Sequence, residues 1–261
     1  MNPATQAIDL HATARLALAC LDLTSLNDAD TETDVARLCE RAQGPYGPVA
    51  AVCVWPRFAA LARRLLPANI GVAAVANFPD GSADIARAVH DTSEIVQAGA
   101  QEVDVVLPYA RLMQGDELAV SQLLGAVRQA CLGLTLKVIL ETGVLADDGL
   151  ITRASRLSLA AGADFLKTST GKTPVSATPQ AAKLMLACIA ANPRAAAHEG
   201  FKASGGIRTV ADAALYIGLC QSALGPQAVQ PRRFRIGASG LLNDIEAVLD
   251  GRASAPPTGA Y

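Results

Sequence analysis

Lysine is scarce in this chain. Of 22 basic residues among 261, five are lysines (Lys137, Lys167, Lys172, Lys183 and Lys202) and the other 17 are arginines. Aromatic residues supply 4% of the chain and apolar residues 51%. The core therefore has to be built from Ala, Val, Leu and Ile, and the chain is far too apolar to be disordered. Neither charge sign is in excess: 24 acidic residues leave a net charge of -2. That balance offers no field to draw nucleic acid or an anionic membrane. Histidine is sparse too. His11, His90 and His198 lie far apart, and no two of them stand at helical spacing from each other. Zinc needs three or four convergent ligands, so no metal site and no cofactor is expected.

No apolar run reaches the about 18 residues that suggest a membrane-spanning helix. Residues 1–10 hold Asp9 and no basic side chain, unlike a signal peptide. The six cysteines form no C-x-x-C pair. A chain of this length needs no disulfide staples, so they read as reduced thiols packed as small hydrophobes. Together these absences point to the cytoplasm.

What is present is an alternation. Short β-type runs at 19–23, 49–54, 70–75, 102–107, 134–140, 164–168, 200–203 and 234–237 are separated by helical patterns. Those patterns, at 33–41, 56–66, 83–98, 117–130, 150–160, 179–190 and 210–220, place apolar residues at i, i+3, i+4 and i+7, and a final helix is expected at 241–249. Eight such units predict parallel strands joined by crossover helices. This α/β pattern fits a single (β/α)8 TIM barrel. An open, doubly wound sheet is the alternative, but it usually has fewer strands and a glycine-rich first turn for a nucleotide. No G-x-G-x-x-G follows the first run and no P-loop occurs anywhere. The barrel is expected over residues 1–251, with a short N-terminal extension, and 252–261 as a flexible tail ending in Tyr261.

In this fold, active sites sit at the C-terminal ends of the strands. Four of the five lysines fall in or just after strands: Lys137 in strand five, Lys167 at the end of strand six, Lys172 in the following loop and Lys202 in strand seven. Lys183 sits on a helix, where a solvated side chain is expected. A lysine in a buried strand is costly unless paired or functional. Lys167 is therefore either an ion-pair partner of Asp104 or Glu141, or a nucleophilic amine. An amine attacks a carbonyl only when neutral, and burial plus a neighbouring ammonium lowers its pKa. Lys202 on the next strand could be that neighbour. In strand four, Glu102 and Asp104 share one face by the two-residue period. Asp104 is then either a counter-ion for Lys137 or Lys202, or a proton shuttle held by them.

Three glycine-bearing loops follow the last strands: Thr170-Gly171-Lys172, Ser204-Gly205-Gly206-Ile207-Arg208 and Gly237-Ala238-Ser239-Gly240. Glycines let backbone N–H groups approach an anion, and each loop leads into a helix N-terminus. Barrel phosphate sites often form after strands seven and eight, so these loops, with Lys172 and Arg208, are candidate phosphate ligands.

The chain resembles the deoxyribose-phosphate aldolases, class I aldolases on a TIM barrel. The resemblance runs almost end to end, through LDLTSLN (21–27), VCVWPRF (52–58), ANFPDG (76–81), EVDVVLPY (102–109), LKVILETG (136–143), GADFLKTSTGK (162–172), GFKASGGIRT (200–209) and RIGAS (235–239). It implies reversible cleavage of 2-deoxy-D-ribose 5-phosphate to D-glyceraldehyde 3-phosphate and acetaldehyde, through an imine on Lys167. Lys202 would tune that amine, Asp104 would relay protons and Lys137 would hold Asp104. Asp22 and Thr170 would lie near the substrate hydroxyls. Gly171, Lys172, Gly205, Gly206, Arg208, Gly237 and Ser239 would take the phosphate, and Tyr261 would assist proton transfer. Two positions depart from the family pattern: Ala203-Ser204 stands where a Pro-Ala pair is common, and Gly240 where a second serine is. The implied partners are a small phosphorylated sugar and acetaldehyde, with neither nucleic acid nor membrane. If copies assemble, a dimer is expected rather than a higher oligomer. Another Schiff-base aldolase acting on a longer sugar phosphate, or a silent sugar-phosphate-binding protein, would share part of these features.

Overall fold

The computed structural model describes residues 9–193 and 195–254. Tyr261, and with it the expected tail role, lies outside the described residues. Eight parallel strands close on themselves in chain order: β1 (Leu21–Thr24), β2 (Ala51–Val54), β3 (Gly71–Ala76), β4 (Glu102–Val106), β5 (Thr135–Ile139), β6 (Phe165–Lys167), β7 (Gly200–Ser204) and β8 (Phe234–Ala238). β1 pairs with both β2 and β8, so no sheet edge remains and the open-sheet alternative falls away.

Alternation along each strand decides what faces inward. In β4, Val103 and Val105 turn out toward the helices, whereas Glu102, Asp104 and Val106 turn to the barrel axis. The outward set (Val52, Val54, Leu136, Val138, Phe201 and Ile236 among them) packs into the large core beneath the helices. Each such side chain contributes roughly 1.5–3 kcal/mol by leaving water. The barrel interior is divided. One half is apolar and holds Cys53, Ala73, Val75, Val106 and Ile139; the other holds charged side chains.

The crossover helices are α2 (Glu32–Arg41), α3 (Pro56–Leu65), α4 (Ile85–Gln97), α6 (Glu117–Ala130), α8 (Asp148–Ala160), α9 (Pro179–Ala191) and α11 (Val210–Leu224), with α12 (Leu241–Leu249) after the last strand. Their starts are written locally. Thr31 and Asp34 form a capping box on α2, and Thr209 and Asp212 another on α11.

Helices α1 (Leu10–Ala19), α5 (Tyr109–Met113), α7 (Thr142–Leu145) and α10 (Ala195–His198) are additions to the elements expected from the sequence pattern. Ala19, expected to open the first strand, instead closes α1. Asp9 caps that helix by accepting from the Ala12 N–H at 3.0 Å, and α1 packs on α12 and α11. Among the described residues no helix is long and apolar enough to cross a membrane.

Candidate active site

Strand register brings the charged residues together. Lys137 is level with Asp104, Lys167 with Lys202, and Lys202 with Arg235. All four neighbouring strands, β5 to β8, thus point cations into the half of the barrel that β1 and β4 supply with carboxylates.

Asp104 is the hub. Its Oδ2 accepts from Lys167 Nζ at 2.7 Å and from Lys202 Nζ at 2.8 Å. Its Oδ1 accepts from Lys137 Nζ at 2.9 Å. Lys137 also donates to Glu102 and lies 3.5 Å from Asp22, and Lys202 also donates to Asp22. Beneath them Arg235 forks, donating from Nη1 to Asp22 Oδ1 at 2.5 Å and from Nη2 to Glu102 Oε1 at 2.7 Å. Asp22, Asp104, Lys137 and Lys202 have no solvent exposure, and Lys167 has 2%. Buried charges persist only when paired and hydrogen-bonded, and here each one is.

The lysines do not titrate alike. Burial pushes the Lys167 amine below the ordinary lysine value; Asp104 pulls it back, and the Lys202 ammonium pushes it down again. Lys202 and Lys137 are held above their ordinary values. Burial opposes this in both, but Asp104 and Asp22 outweigh it for Lys202, and Asp104, Glu102 and Asp22 for Lys137. Asp104 stays ionised: burial disfavours the charge, yet its three ammonium partners hold the carboxyl well below the usual range. Lys167 is thus the one of the three amines shifted toward easier proton loss, the direction a nucleophile requires.

At the C-terminal ends of β1, β6, β7 and β8 lies a cavity of about 500 Å³. Its walls are the loops after β1 (residues 24–27), β6 (170–172), β7 (204–208) and β8 (237–240). Gly171, Gly205 and Gly206 all have positive φ, at 79°, 85° and 79°. Gly205 is also pressed from outside, since a Cβ there would stand 2.5 Å from the Ser176 side chain. Lys172 reaches across the mouth, donating from Nζ to the Leu26 carbonyl at 2.6 Å. Backbone amides in left-handed turns, with Lys172 and Arg208 beside them, suit an oxyanion.

The chain as a whole matches known proteins in sequence and fold. A family model described as DeoC/LacD family aldolase matches residues 16–244. The chain belongs to the DeoC/LacD aldolase family. As such it is an aldolase, a carbon–carbon lyase. The aldolase is 46% identical over 251 residues to a protein of Agrobacterium fabrum (strain C58) named deoxyribose-phosphate aldolase, covering 95% of this chain and 96% of that one. A protein of Coccidioides immitis with a known crystal structure superposes at a TM-score of 0.78, with 32% identity, over 90% of this chain and 87% of that one. The deoxyribose phosphate aldolase of Aeropyrum pernix, described as tetrameric, superposes at 0.70 with 27% identity, covering 94% and 98%.

The residues singled out from the aldolase's sequence fall in two places. Lys167, Lys202, Lys137, Asp104 and Asp22 meet in the ion cluster. Thr170, Gly171, Lys172, Gly205, Gly206, Arg208, Gly237 and Ser239 line the cavity. Neither Asp22 nor Lys167 is among the residues lining the cavity. Asp22 points inward from β1, level with Gly237 of β8, and serves as counter-ion to Lys202 and Arg235. Thr170 reaches the wall, but its hydroxyl donates to Glu141 Oε2 at 2.5 Å. Lys167 forms its ion pair with Asp104, not with Glu141. Sequence reasoning passes over Arg235, although it sits between Phe234 and Ile236 in an apolar strand, the same signal that marks Lys137. It also passes over residues 24–27 as cavity wall; nothing in their composition sets them apart.

Proposed function

We propose that this aldolase cleaves 2-deoxy-D-ribose 5-phosphate reversibly to D-glyceraldehyde 3-phosphate and acetaldehyde, within deoxyribose phosphate catabolism in the cytoplasm. The observation that carries the reading is Lys167: an amine that closes β6 just before a loop lining the oxyanion-suited cavity, depressed in pKa and hydrogen-bonded to a carboxylate that two further lysines keep ionised.

Neutral Lys167 adds to the aldehyde carbon C1, and loss of water gives a protonated imine. That imine is an electron sink. When the C3 hydroxyl loses its proton, the C2–C3 bond breaks, its electron pair forms an enamine on Lys167, and C3 to C5 leave as D-glyceraldehyde 3-phosphate. Protonation of the enamine at C2 and hydrolysis release acetaldehyde and return the amine. Each step is a short proton transfer plus one bond change, which is what covalent catalysis gains. Asp104, 2.7 Å from the Lys167 nitrogen, is the acid–base group within reach. The loops around Gly171, Gly205, Gly206 and Gly237, with Lys172, Arg208 and Ser239, would hold the 5-phosphate and so fix C1 above Lys167.

Borohydride added with substrate should reduce the imine and leave a mass-mappable adduct on Lys167, with acetaldehyde as the released product. A folded Lys167→Met protein that retains full cleavage activity would overturn the reading. Release of a larger carbonyl fragment in place of acetaldehyde would overturn the substrate assignment.

A further inference from the structure

The ion cluster does not balance. Among the described residues it holds four cationic side chains, Lys137, Lys167, Lys202 and Arg235, and three carboxylates, Asp22, Glu102 and Asp104. Protein interiors tolerate unpaired charge poorly, so removing one proton brings the cluster to neutrality. Arginine does not give up its proton. Lys137 touches three of the carboxylates and Lys202 two, while Lys167 touches Asp104 alone. The deficit therefore falls on Lys167.

We infer that Arg235 is a positioning residue that creates this deficit: it draws on Asp22 and Glu102, which Lys202 and Lys137 also contact, so that three carboxylates cannot neutralise all three amines. Arg235 makes no contact with Lys167; it acts through the carboxylates. Without it, Glu102 and Asp22 would answer only Lys137 and Lys202, which they already contact, and Asp104 would be left to hold a protonated Lys167.

Among the described residues no other group makes an ion pair with the cluster. The Cys20 and Cys53 thiols border it, from beside β1 and from β2, and burial pushes both up, Cys20 to about 12. β3 contributes only Ala73 and Val75 to the interior. Glu141, after β5, is near enough to feel the Lys167 charge but makes no ion pair with it; its carboxylate accepts from the Thr170 amide and hydroxyl and the Thr173 hydroxyl.

The inference rests on the Schiff-base reading of Lys167, and its test separates the two. The rate of borohydride trapping on Lys167 would be followed against pH for the natural protein, Arg235→Leu, Glu102→Gln, the double variant and Arg235→Lys. Removing Arg235 should move the acidic limb to higher pH. Each unit of movement costs about tenfold in trapping at a pH on the original limb. Glu102→Gln, which removes a carboxylate from the same contact, should move the limb the opposite way. The double variant should return it close to the original, and Arg235→Lys should leave it in place. A purely structural role would not give neighbours of opposite sign that cancel. If Arg235→Leu does not fold, Glu102→Gln alone decides: a limb displaced to lower pH supports the inference, and one that stays or rises overturns it. Label on Lys167 with limbs that do not follow the charge count overturns the inference alone. No label in the natural protein overturns the Schiff-base reading and the inference with it.

Discussion

Replacing Lys202 by methionine gives the sharpest test of the electrostatics around the amine. Lys167 and Lys202 each donate to the same Asp104 oxygen, at 2.7 and 2.8 Å. That shared acceptor confines the two nitrogens to roughly 5 Å of each other, where like charges repel by about 3 kcal/mol at an effective dielectric of about 20. About 3 kcal/mol corresponds to roughly two pKa units. Losing Lys202 also frees Asp104 to favour the Lys167 ammonium, which acts in the same direction. The acidic limb of Lys167 trapping by borohydride should therefore rise by about two units in Lys202→Met. Trapping should recover above the new limb, because the amine itself is intact. Lys202→Arg keeps the charge and should leave the limb near its original pH, provided ionic strength is fixed throughout. A limb that stays put, or moves to lower pH, in folded Lys202→Met would refute the idea that Lys202 depresses the amine.

Two further outcomes can be checked independently. Gly205→Ala forces a left-handed φ of 85° on a residue with a Cβ and sets that Cβ 2.5 Å from Ser176. The conformation alone costs about 1–2 kcal/mol. The KM for the phosphorylated substrate should rise severalfold while turnover of unphosphorylated deoxyribose is spared; an equal loss on both would detach this loop from phosphate binding. Glu141 is fully buried, and burial raises its carboxyl above the ordinary value despite the hydrogen bonds from Thr170 and Thr173. A raised folded-state pKa gives stability that is complete below the unfolded value, about 4.3, and is lost as pH climbs through the folded one. The urea midpoint of the natural protein should thus fall relative to that of Glu141→Gln as pH rises from about 4; parallel curves would refute the assignment.

Much of the fold is legible in the amino-acid order, because each strand carries an outward run of Val, Leu, Ile or Phe and each crossover helix has an apolar stripe. α1 escapes because the run from Ala12 to Cys20 contains no breaker, so its apolar residues merge into those of β1. α7 is four residues long, too short to show a period. Within the site, Lys137, Asp104 and Lys202 stand out as charges between apolar neighbours. Arg235 gives the same signal but is lost among 17 arginines. The substrate contact expected of Asp22 comes from the resemblance alone, because alternation along a strand shows that a residue faces inward, not how deep it lies. Depth depends on register between β1 and β8, and register is set by the closure of the whole barrel.

The bond from Lys172 to the Leu26 carbonyl ties the loop after β6 to the loop after β1 and so closes a ring over the cavity. A carbonyl is a neutral acceptor, and a phosphate offers charge as well as lone pairs. On the proposed reading, the ligand's charge and not its outline decides whether Lys172 lets go. A neutral sugar of the same shape finds the ring still fastened, whereas the phosphorylated one unfastens it and takes Leu26's place. Discrimination would then begin at the entrance, before any atom of the sugar has reached the amine below.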